Sequence, residues 1–391
     1  MDLNNLIKKA IPQAIQIRRY LHQHPELSEQ EKNTADYICN ILEQHHISYR
    51  RNVAGNGIIA VIGNQNKGKC VGIRADIDAL PVKEHTGLPY ASVNTGVMHA
   101  CGHDMHTAIL LGTGIVLKDS EEKLNGCVKL IFQPAEETVG GAAQMIAEGA
   151  LTNPSVDAMI AIHIDPSIPT GDISLKNGAI NAAVNGFYID INGKQCHGAH
   201  PETGIDPIVT ASSVVLNLQS LVSRFTAPTT PIVVTIGEIR AGTCSNIIPD
   251  TCRLHGTLRT LDNETTEFAK KSICRIAENT AKAYDASAEV HFDNDPFPAL
   301  INNAAIVSAV EAAAGEMKNI TEVHHLEASS MGGDDFAFFT EKVPGAYFNL
   351  GCTKPDRDPV PLHSDNLAPD EDAIQLGIEL EVRTALKLLE E

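Results

Sequence analysis

Large aromatic residues and positive charge are both scarce in this sequence. It contains no tryptophan, aromatic residues make up 4% of its 391 residues, and 30 basic side chains stand against 49 acidic ones, for a formal charge of -19. So few aromatic residues give no indication of a platform that stacks on bases or sugars. The acidic balance argues against binding to nucleic acid or to an anionic membrane surface through overall charge. We therefore predict neither partner.

A long apolar run is missing as well. No run approaches the roughly 20 residues that a membrane span needs, and the first ten residues, MDLNNLIKKA, contain no apolar signal core. The nine cysteines are scattered, odd in number and without a repeat. These features favour reduced thiols and a cytoplasmic location over a disulfide framework.

The pattern of apolar segments predicts an α/β fold in two domains. Near-continuous apolar strands alternate with helical stretches over residues 1–181 and again over 297–391, which indicates a mixed, largely parallel sheet flanked by helices. Residues 182–296 instead follow the order β-α-β-β-α-β. That order is typical of a ferredoxin-like α+β module, so we expect this segment to be an inserted domain.

Chemistry-bearing side chains are densest in the segment MHACGHDMH, residues 98–106. These nine residues contain one thiol, three imidazoles and one carboxylate, and an apolar helical run follows from Ala108. Cys101 and His103 are two positions apart, so an extended or tightly turned backbone can point both the same way. A thiolate beside an imidazole suits zinc or another divalent transition ion.

Three more segments end in side chains of the metal-ligand type. They are Leu130–Glu137, Ala158–His163 and Pro361–Asp365. Two of them have an ordinary alternative: Glu136 and Glu137 could begin a helix, and His163 could be a polar strand end. Sites of α/β sheets assemble at strand ends, however, and one of two adjacent glutamates can bind an ion while the other takes a proton from an activated water. Together the donors favour a metal site.

At this point the chain resembles the M20 family of metallopeptidases and amidohydrolases, specifically its aminoacylase and hippurate-hydrolase-like branch. The resemblance rests on five segments that span most of the chain. They are Arg74–Pro81 (RADIDALP), Met98–Asp104 (MHACGHD), Phe132–Glu137 (FQPAEE), Gly332–Phe338 (GGDDFAF) and His363–Ser364.

The resemblance implies a dinuclear metal centre. Its ligands would be Cys101, His103, Glu137, His163 and His363, with Cys101 bridging two divalent ions (Zn, Mn, Co or Ni). Glu136 would be the general base. Asp76, Asp78 and Asp104 would lie behind the ligands and orient them; for Asp104, as for His99 and His106, a purely structural role is an equal alternative.

The inserted domain resembles the family's dimerisation or lid domain. By that resemblance His197 would stabilise the oxyanion of the reaction, and Asn246 and Arg259 would bind the substrate; in relatives the histidine and asparagine reach across a dimer. A homodimer through this domain is therefore expected. The sequence departs from the family pattern at Gln195–Cys196, Asp334 and Asp365.

The expected reaction is hydrolysis of the amide bond of N-acyl (for example N-acetyl) L-amino acids to a carboxylate and a free amino acid. Three alternatives remain open. The protein could be a dipeptidase or carboxypeptidase that acts on free peptides. It could be a cysteine hydrolase with Cys101 as nucleophile and His103 or His106 as base, which would survive removal of metal. It could also be a catalytically inactive protein that binds metal or peptide.

Overall fold

The computed structural model describes residues 3–138, 140–293 and 296–390. The chain divides into two compact units. The first runs through Ile180, resumes over Ile301–Ala328 and continues from Asp335, while the second comprises Asn181–Leu300 and Ser329–Asp334. The predicted inserted segment, 182–296, lacks the short strip Ser329–Asp334. That strip belongs to the second unit because Ser330 forms a bridge with Asn181 and the Gly332 carbonyl accepts the Ala182 N–H at 2.8 Å.

The helices and strands of the described residues are numbered in chain order. The helices are α1 (Leu3–Gln23), α2 (Lys32–Gln44), α3 (His103–Asp119), α4 (Gly141–Ala147), α5 (Pro207–Ser220), α6 (Asn263–Lys282), α7 (Ala304–Ala314), α8 (Ala337–Thr340) and α9 (Asp372–Glu390). The strands are β1 (Ser48–Val53), β2 (Gly57–Gly63), β3 (Lys69–Asp76), β4 (Gly126–Gln133), β5 (Ala158–Pro169), β6 (Asp172–Leu175), β7 (Gly178–Asn181), β8 (Ala183–Asn192), β9 (Cys196–His197), β10 (Ile232–Ala241), β11 (Ile247–Ile248), β12 (Thr251–Thr260), β13 (Ser287–Phe292), β14 (Leu300–Asn302), β15 (Glu322–His325) and β16 (Gly345–Thr353).

The first unit is built on an eight-stranded mixed sheet. Its strand order is β1-β2-β4-β3-β5-β16-β6-β15, and the four central strands β4, β3, β5 and β16 are mutually parallel. Every residue of β4 is buried, including Lys129 and Gln133, the two polar residues of an otherwise mainly apolar strand. The prediction of a mixed, largely parallel sheet flanked by helices is confirmed.

Helix α3 is almost fully buried, and it packs closely against α9. A Cβ atom on Gly112 of α3 would lie 2.4 Å from Ile378 Cδ1, and one on Gly377 of α9 would lie 2.6 Å from Ile109 Cδ1. In each case, an isoleucine of one helix packs against a glycine of the other helix. This contact fixes the position of α3 along its own axis, and with it the position of His103, the first residue of the helix.

Parallel strands bring the candidate residues to one edge of the sheet. Strand β3 ends at Asp76, which pairs with Gln133 at the end of β4, three residues before Glu136. The sequence placed His163 at the end of its strand, but β5 continues to Pro169. It does so because β16 pairs with β5 along this whole length, whereas β3 pairs with β5 only as far as Ala161. His163 therefore lies just beyond the part of β5 that β3 covers.

The second unit has the predicted ferredoxin-like order β8-α5-β10-β12-α6-β13. Its four strands form an antiparallel sheet in the order β10-β12-β8-β13. Buried and half-buried residues alternate along β8, as expected when one face of a sheet is covered. The two helices and the sheet share one apolar cluster, which includes Val214, Leu218, Ile273 and Leu254.

One helical stretch of this unit, Pro207–Phe225, is long and apolar enough to cross a membrane, judged by length and composition alone. This stretch contains no long unbroken apolar run, because serine, threonine, asparagine and glutamine interrupt its apolar residues. It consists of α5 and a π-helical turn, Leu221–Phe225. Ala211, Val214 and Leu218 of α5 are buried in the apolar cluster of the unit. The absence of a membrane partner stays a prediction.

Glu381 on α9 is fully buried and generates a prediction about stability. Its Oε2 accepts a 2.7 Å hydrogen bond from the Thr113 hydroxyl of α3, and burial raises its pKa from 4.5 to about 8. Between these two values the unfolded chain has released a proton that the folded chain keeps, so stability falls as pH rises from 4.5 to about 8. Glu381→Gln removes this titration and retains an acceptor for Thr113.

We therefore expect Glu381→Gln to gain thermal stability relative to the wild type as pH rises from about 5 to about 8. The measurement is the thermal midpoint of both proteins by calorimetry at each pH. Glu122→Gln, at an exposed position, is the control and should show no such trend. If the thermal midpoints of Glu381→Gln and wild type differ by the same amount at about pH 5 and about pH 8, the raised pKa of Glu381 is contradicted.

Candidate metal centre

The structure brings the five predicted ligands together at the edge of the first unit's sheet. Ligand atoms of Cys101, His103 and His163 lie within 4.8 Å of one another, and so do those of Cys101, Glu137 and His363. Cys101 belongs to both groups. The chain thus forms two adjacent sets of donors that share a single sulfur atom.

The turn before α3 points the thiol and an imidazole into this space. Gly102, between Cys101 and His103, has φ +86°, and a Cβ atom there would lie 2.2 Å from Ile164 Cδ1. Both observations require glycine. The buried Cys101 Sγ lies 3.5 Å from His163 Nε2.

Hydrogen bonds to carbonyl oxygens fix which nitrogen of each imidazole carries the proton. His103 Nδ1 donates to the Asp78 carbonyl at 2.9 Å, and His163 Nδ1 donates to the Ile164 carbonyl at 2.7 Å. A carbonyl oxygen only accepts, so when either ring is neutral, as a ring that binds a metal ion must be, its lone pair is on Nε2. His103 Nε2 is buried and has no hydrogen-bond partner among the described residues. Such an orphaned acceptor is what a metal ion would satisfy.

The two glutamates follow a backbone that other residues hold in place. The Glu137 N–H donates to Asp78 Oδ2 at 3.1 Å, and Glu137 Oε1 lies 3.4 Å from His363 Nε2 and 3.9 Å from His103 Nε2. Glu136 is also buried and forms a third donor group with His103 and Glu137. Glu137 therefore lies near both His363 and His103, and Glu136 lies beside Glu137 and His103.

His363 reaches the site from a strained turn near the end of the chain. Its φ is +64°, and its backbone N–H donates to the Ala100 carbonyl at 2.7 Å. Its side chain is 54% exposed, whereas that of His103 is 1% exposed. The centre thus has a deep set of donors and a set that is open to solvent on one side.

The electrostatics of the site fit a divalent cation. Burial raises the pKa of the Cys101 thiol well above its usual value, so a bound cation would be needed to hold the thiolate. Burial opposes ionisation of Asp76, but the charges of His103 and Arg74 outweigh it and hold the Asp76 pKa well below its usual range. One thiol, three imidazoles and a carboxylate suit a transition ion rather than Mg²⁺ or Ca²⁺.

Residues behind the ligands hold them in position. Asp76 Oδ2 accepts from Arg74 Nη1 at 2.7 Å, and Asp76 Oδ1 accepts from His106 Nδ1 at 2.6 Å. His106 Nε2 in turn accepts the Ile164 N–H at 2.9 Å. Since Ile164 follows His163, this chain of contacts positions the His163 backbone. Asp78 contacts both His103 and Glu137.

Asp104 and His99 lie on the other side of the ligand turn. The Asp104 carboxylate accepts from Arg18 Nε at 2.8 Å and lies 2.9 Å from His22 Nδ1, which ties α3 to α1. Both partners carry positive charge that outweighs burial and lowers the Asp104 pKa. His99 is buried, and its pKa is lowered to about 4 by that burial. Asp104 thus links α3 to α1, and the sequence did not predict this link.

The second unit holds the other predicted residues. His197 in β9 pairs with Ile247 in β11, and the Gly198 N–H donates to the Asn246 carbonyl at 2.8 Å, so His197 and Asn246 share one ribbon. Arg259 Nη1 donates to the Met331 carbonyl at 3.2 Å, and burial lowers its pKa.

The three departures from the family pattern lie in different places. Cys196 pairs with Ile248 in the ribbon of β9 and β11, directly after Gln195. Asp334 is buried at the end of the second unit. Asp365, in the first unit, lies on the surface with Oδ2 2.8 Å from His85 Nδ1.

The chain is similar to known proteins over nearly its full length. Residues 72–387 match the model of Peptidase family M20/M25/M40. N-acetyl-L-cysteine deacetylase of Bacillus subtilis is 41% identical over 93% of this chain and 85% of its own, and thermostable carboxypeptidase 1 of Saccharolobus solfataricus is 36% identical over 96% and 95%. A crystal structure of a dinuclear metal-binding M20 peptidase of Bacillus subtilis superposes with a TM-score of 0.84, at 35% identity, covering 98% of this chain and 99% of that one.

The shared sulfur leads to a prediction about metal content. We expect the purified protein to hold two divalent ions per chain, and Cys101→Ala to lose both, because both donor groups include that sulfur. Elemental analysis by mass spectrometry measures the stoichiometry. Cys252→Ala, a buried free cysteine of the second unit, is the matched control and should keep both ions. Two ions retained in Cys101→Ala would refute the shared ligand.

Proposed function

The chain belongs to the peptidase family M20/M25/M40, and we propose that it is a metal-dependent amidohydrolase that cleaves N-acyl L-amino acids to a carboxylate and a free amino acid. The family that the sequence motifs indicated is confirmed, and with it the class of hydrolases acting on amide C–N bonds. The deacetylase activity named for the Bacillus subtilis relative supports an acetyl group as the acyl part.

One observation carries the proposal: two donor groups share Cys101, and Glu136 lies beside them. A hydrolytic dinuclear site needs a carboxylate that can accept a proton without itself being occupied as a ligand. We assign Glu137 to the ions and Glu136 to the proton. The donor set favours Zn²⁺, with Mn²⁺, Co²⁺ and Ni²⁺ as the other candidates.

Two divalent ions held by these donors would lower the pKa of the attacking water and polarise the substrate carbonyl. Glu136 takes the proton of the attacking water and returns it to the amine nitrogen as the C–N bond breaks. His197 would donate a hydrogen bond to the carbonyl oxygen as it gains negative charge. Its Nδ1 accepts the Ala199 N–H at 3.0 Å, which leaves the proton on Nε2. Arg259 would hold the α-carboxylate and Asn246 would contact the substrate.

A second candidate activity is cleavage of free peptides. The 36% identical relative named thermostable carboxypeptidase 1 favours it, since it covers the chain as fully as the deacetylase does. The same donor groups and the same general base would serve both reactions. The two differ in whether the group that carries the scissile carbonyl is a simple acyl chain or an amino acid with a charged amine.

We propose that the protein is a homodimer joined through the second unit, in the cytoplasm. Helix α5 exposes Ile208, Val209 and Leu216, the last to 73%, and β10 is an edge strand of its sheet. Exposed apolar residues beside an open strand edge are typical of an interface. The nine cysteines, all of them in the described part of the chain, are free, which supports a reducing compartment.

Replacing the proposed base tests the reaction. We expect Glu136→Gln to lower kcat for N-acetyl amino acids by about 10²–10⁴-fold and to keep its metal ions, because Gln cannot accept the proton. Activity is measured by the release of free amine after reconstitution with each metal. Glu122→Gln is the surface control. A Glu136→Gln variant with wild-type turnover would remove the base assignment.

The substrate class is tested on the wild type. We expect N-acetyl amino acids to be cleaved with a kcat/KM at least about tenfold above that for unblocked dipeptides, since a free amine would place an extra charge beside the ions. The reverse preference would establish the peptidase alternative. Binding of both substrates without release of amine would establish an inactive binding protein, and full activity after complete removal of metal would support the cysteine hydrolase.

The dimer is tested by charge placed on α5. We expect Leu216→Glu to yield a monomer in light scattering coupled to size exclusion, because a buried carboxylate at an interface has no partner there. Val93→Glu, at an exposed apolar position of the first unit, should remain dimeric. A wild-type protein that is monomeric at all concentrations would contradict the proposal.

A further inference from the structure

We infer that Glu31 is a positioning residue for the proposed reaction: its carboxylate holds the turn from which Glu136 and Glu137 project. The inference rests on the proposed function for the role of those two glutamates. Glu31 lies directly before α2, more than 100 positions away in the chain from the turn that it contacts.

The turn needs an external support because its backbone is strained. Ala135, which precedes Glu136, has φ +54°. A Cβ atom disfavours this left-handed region, and such a conformation persists only where the surroundings impose it. Ala135 is 4% exposed, so its N–H cannot rely on solvent for a hydrogen bond.

Glu31 supplies that support. Its side chain is fully buried, and Oε1 accepts the Ala135 N–H at 2.9 Å. The same oxygen accepts the Glu29 N–H at 2.9 Å, and Oε2 accepts from Asn56 Nδ2 at 3.0 Å. The Glu29 and Asn56 contacts fix the carboxylate, and the fixed carboxylate fixes Ala135. No other side chain is seen to accept the Ala135 N–H in the described part of the chain.

The same loop supports the turn at a second point. Ser28 Oγ donates to Asp78 Oδ2 at 2.7 Å, and that oxygen accepts the Glu137 N–H at 3.1 Å. The backbone on both sides of Glu136 is therefore held from the loop between α1 and α2, directly by Glu31 and through Asp78 by Ser28. A shift of about 1 Å in a reacting group can cost about 10²-fold in rate. The Glu31 contact thus acts on the position of the base rather than on the substrate.

A set of three variants separates this role from a general loss of stability. Glu31→Ala removes the acceptor of the Ala135 N–H. Glu31→Gln keeps Oε1 as that acceptor and gives up only the contact of Oε2 with Asn56. Asn56→Ala is the matched control, because it removes a partner of the same carboxylate and leaves the Ala135 contact in place.

The experiment measures kcat, KM, metal content and amide exchange of the peptide 133–137 by mass spectrometry, all on the metal-loaded full chain. In Glu31→Ala we expect kcat to fall at least about tenfold with KM within about twofold, and the Ala135 amide to exchange at least about tenfold faster. In Glu31→Gln and Asn56→Ala, both kcat and the exchange rate of the Ala135 amide should stay within about threefold of the wild-type values.

Two results would overturn the inference. One is Glu31→Ala with unchanged kcat and unchanged exchange at Ala135. The other is a loss of kcat in Glu31→Ala that Glu31→Gln shares in full, since a preserved acceptor should rescue the turn. Should the wild type hydrolyse none of the substrates, the proposed function fails on its own, and the exchange of Ala135 in the three variants still decides whether Glu31 holds the turn.

Discussion

The carboxylate of Asp78 connects the two motifs on which the centre depends. One oxygen lies 3.2 Å from His103 Nδ1, and the other accepts the N–H of Glu137 and the hydroxyl of Ser28. These hydrogen bonds outweigh the cost of burial and keep its pKa low, so it stays ionised. Through this one charged group, the turn that begins α3 and the turn that follows β4 keep a fixed separation. Without it, His103 would keep only its hydrogen bond to the Asp78 carbonyl, and the Glu137 N–H would lose its 3.1 Å contact.

Much of this centre could be predicted from the sequence because its donors lie in compact motifs. Cys101 and His103 flank a glycine that must be left-handed, and Glu136 and Glu137 follow a buried strand. Local chain geometry then limits where these side chains can point. The strand pattern likewise indicated the two fold types, since the periods of buried residues differ between the units.

The residues that the sequence did not reveal act across long distances in the chain. Glu31, Ser28 and Arg18 carry no local sign of their roles, because their partners arrive only when the tertiary structure forms. The sequence does not decide the role of His106 for a related reason. Its spacing from His103 fits a metal ligand, but both of its ring nitrogens already form hydrogen bonds, one with Asp76 and one with Ile164. The strip Ser329–Asp334 was missed because single bridges, not a periodic pattern, attach it to the second unit.

The uneven exposure of the donors has a consequence for how the protein would acquire its ions. Cys101, His103 and His163 are all buried, whereas the other group is completed by His363, whose ring is 54% exposed. Ligand exchange proceeds through the donor that solvent can reach. The two positions would therefore differ in kinetic lability, with the His363 side both filling and emptying faster than the inner side. A preparation can then carry one ion while the inner thiolate position is already complete, and two different metals could share a single molecule.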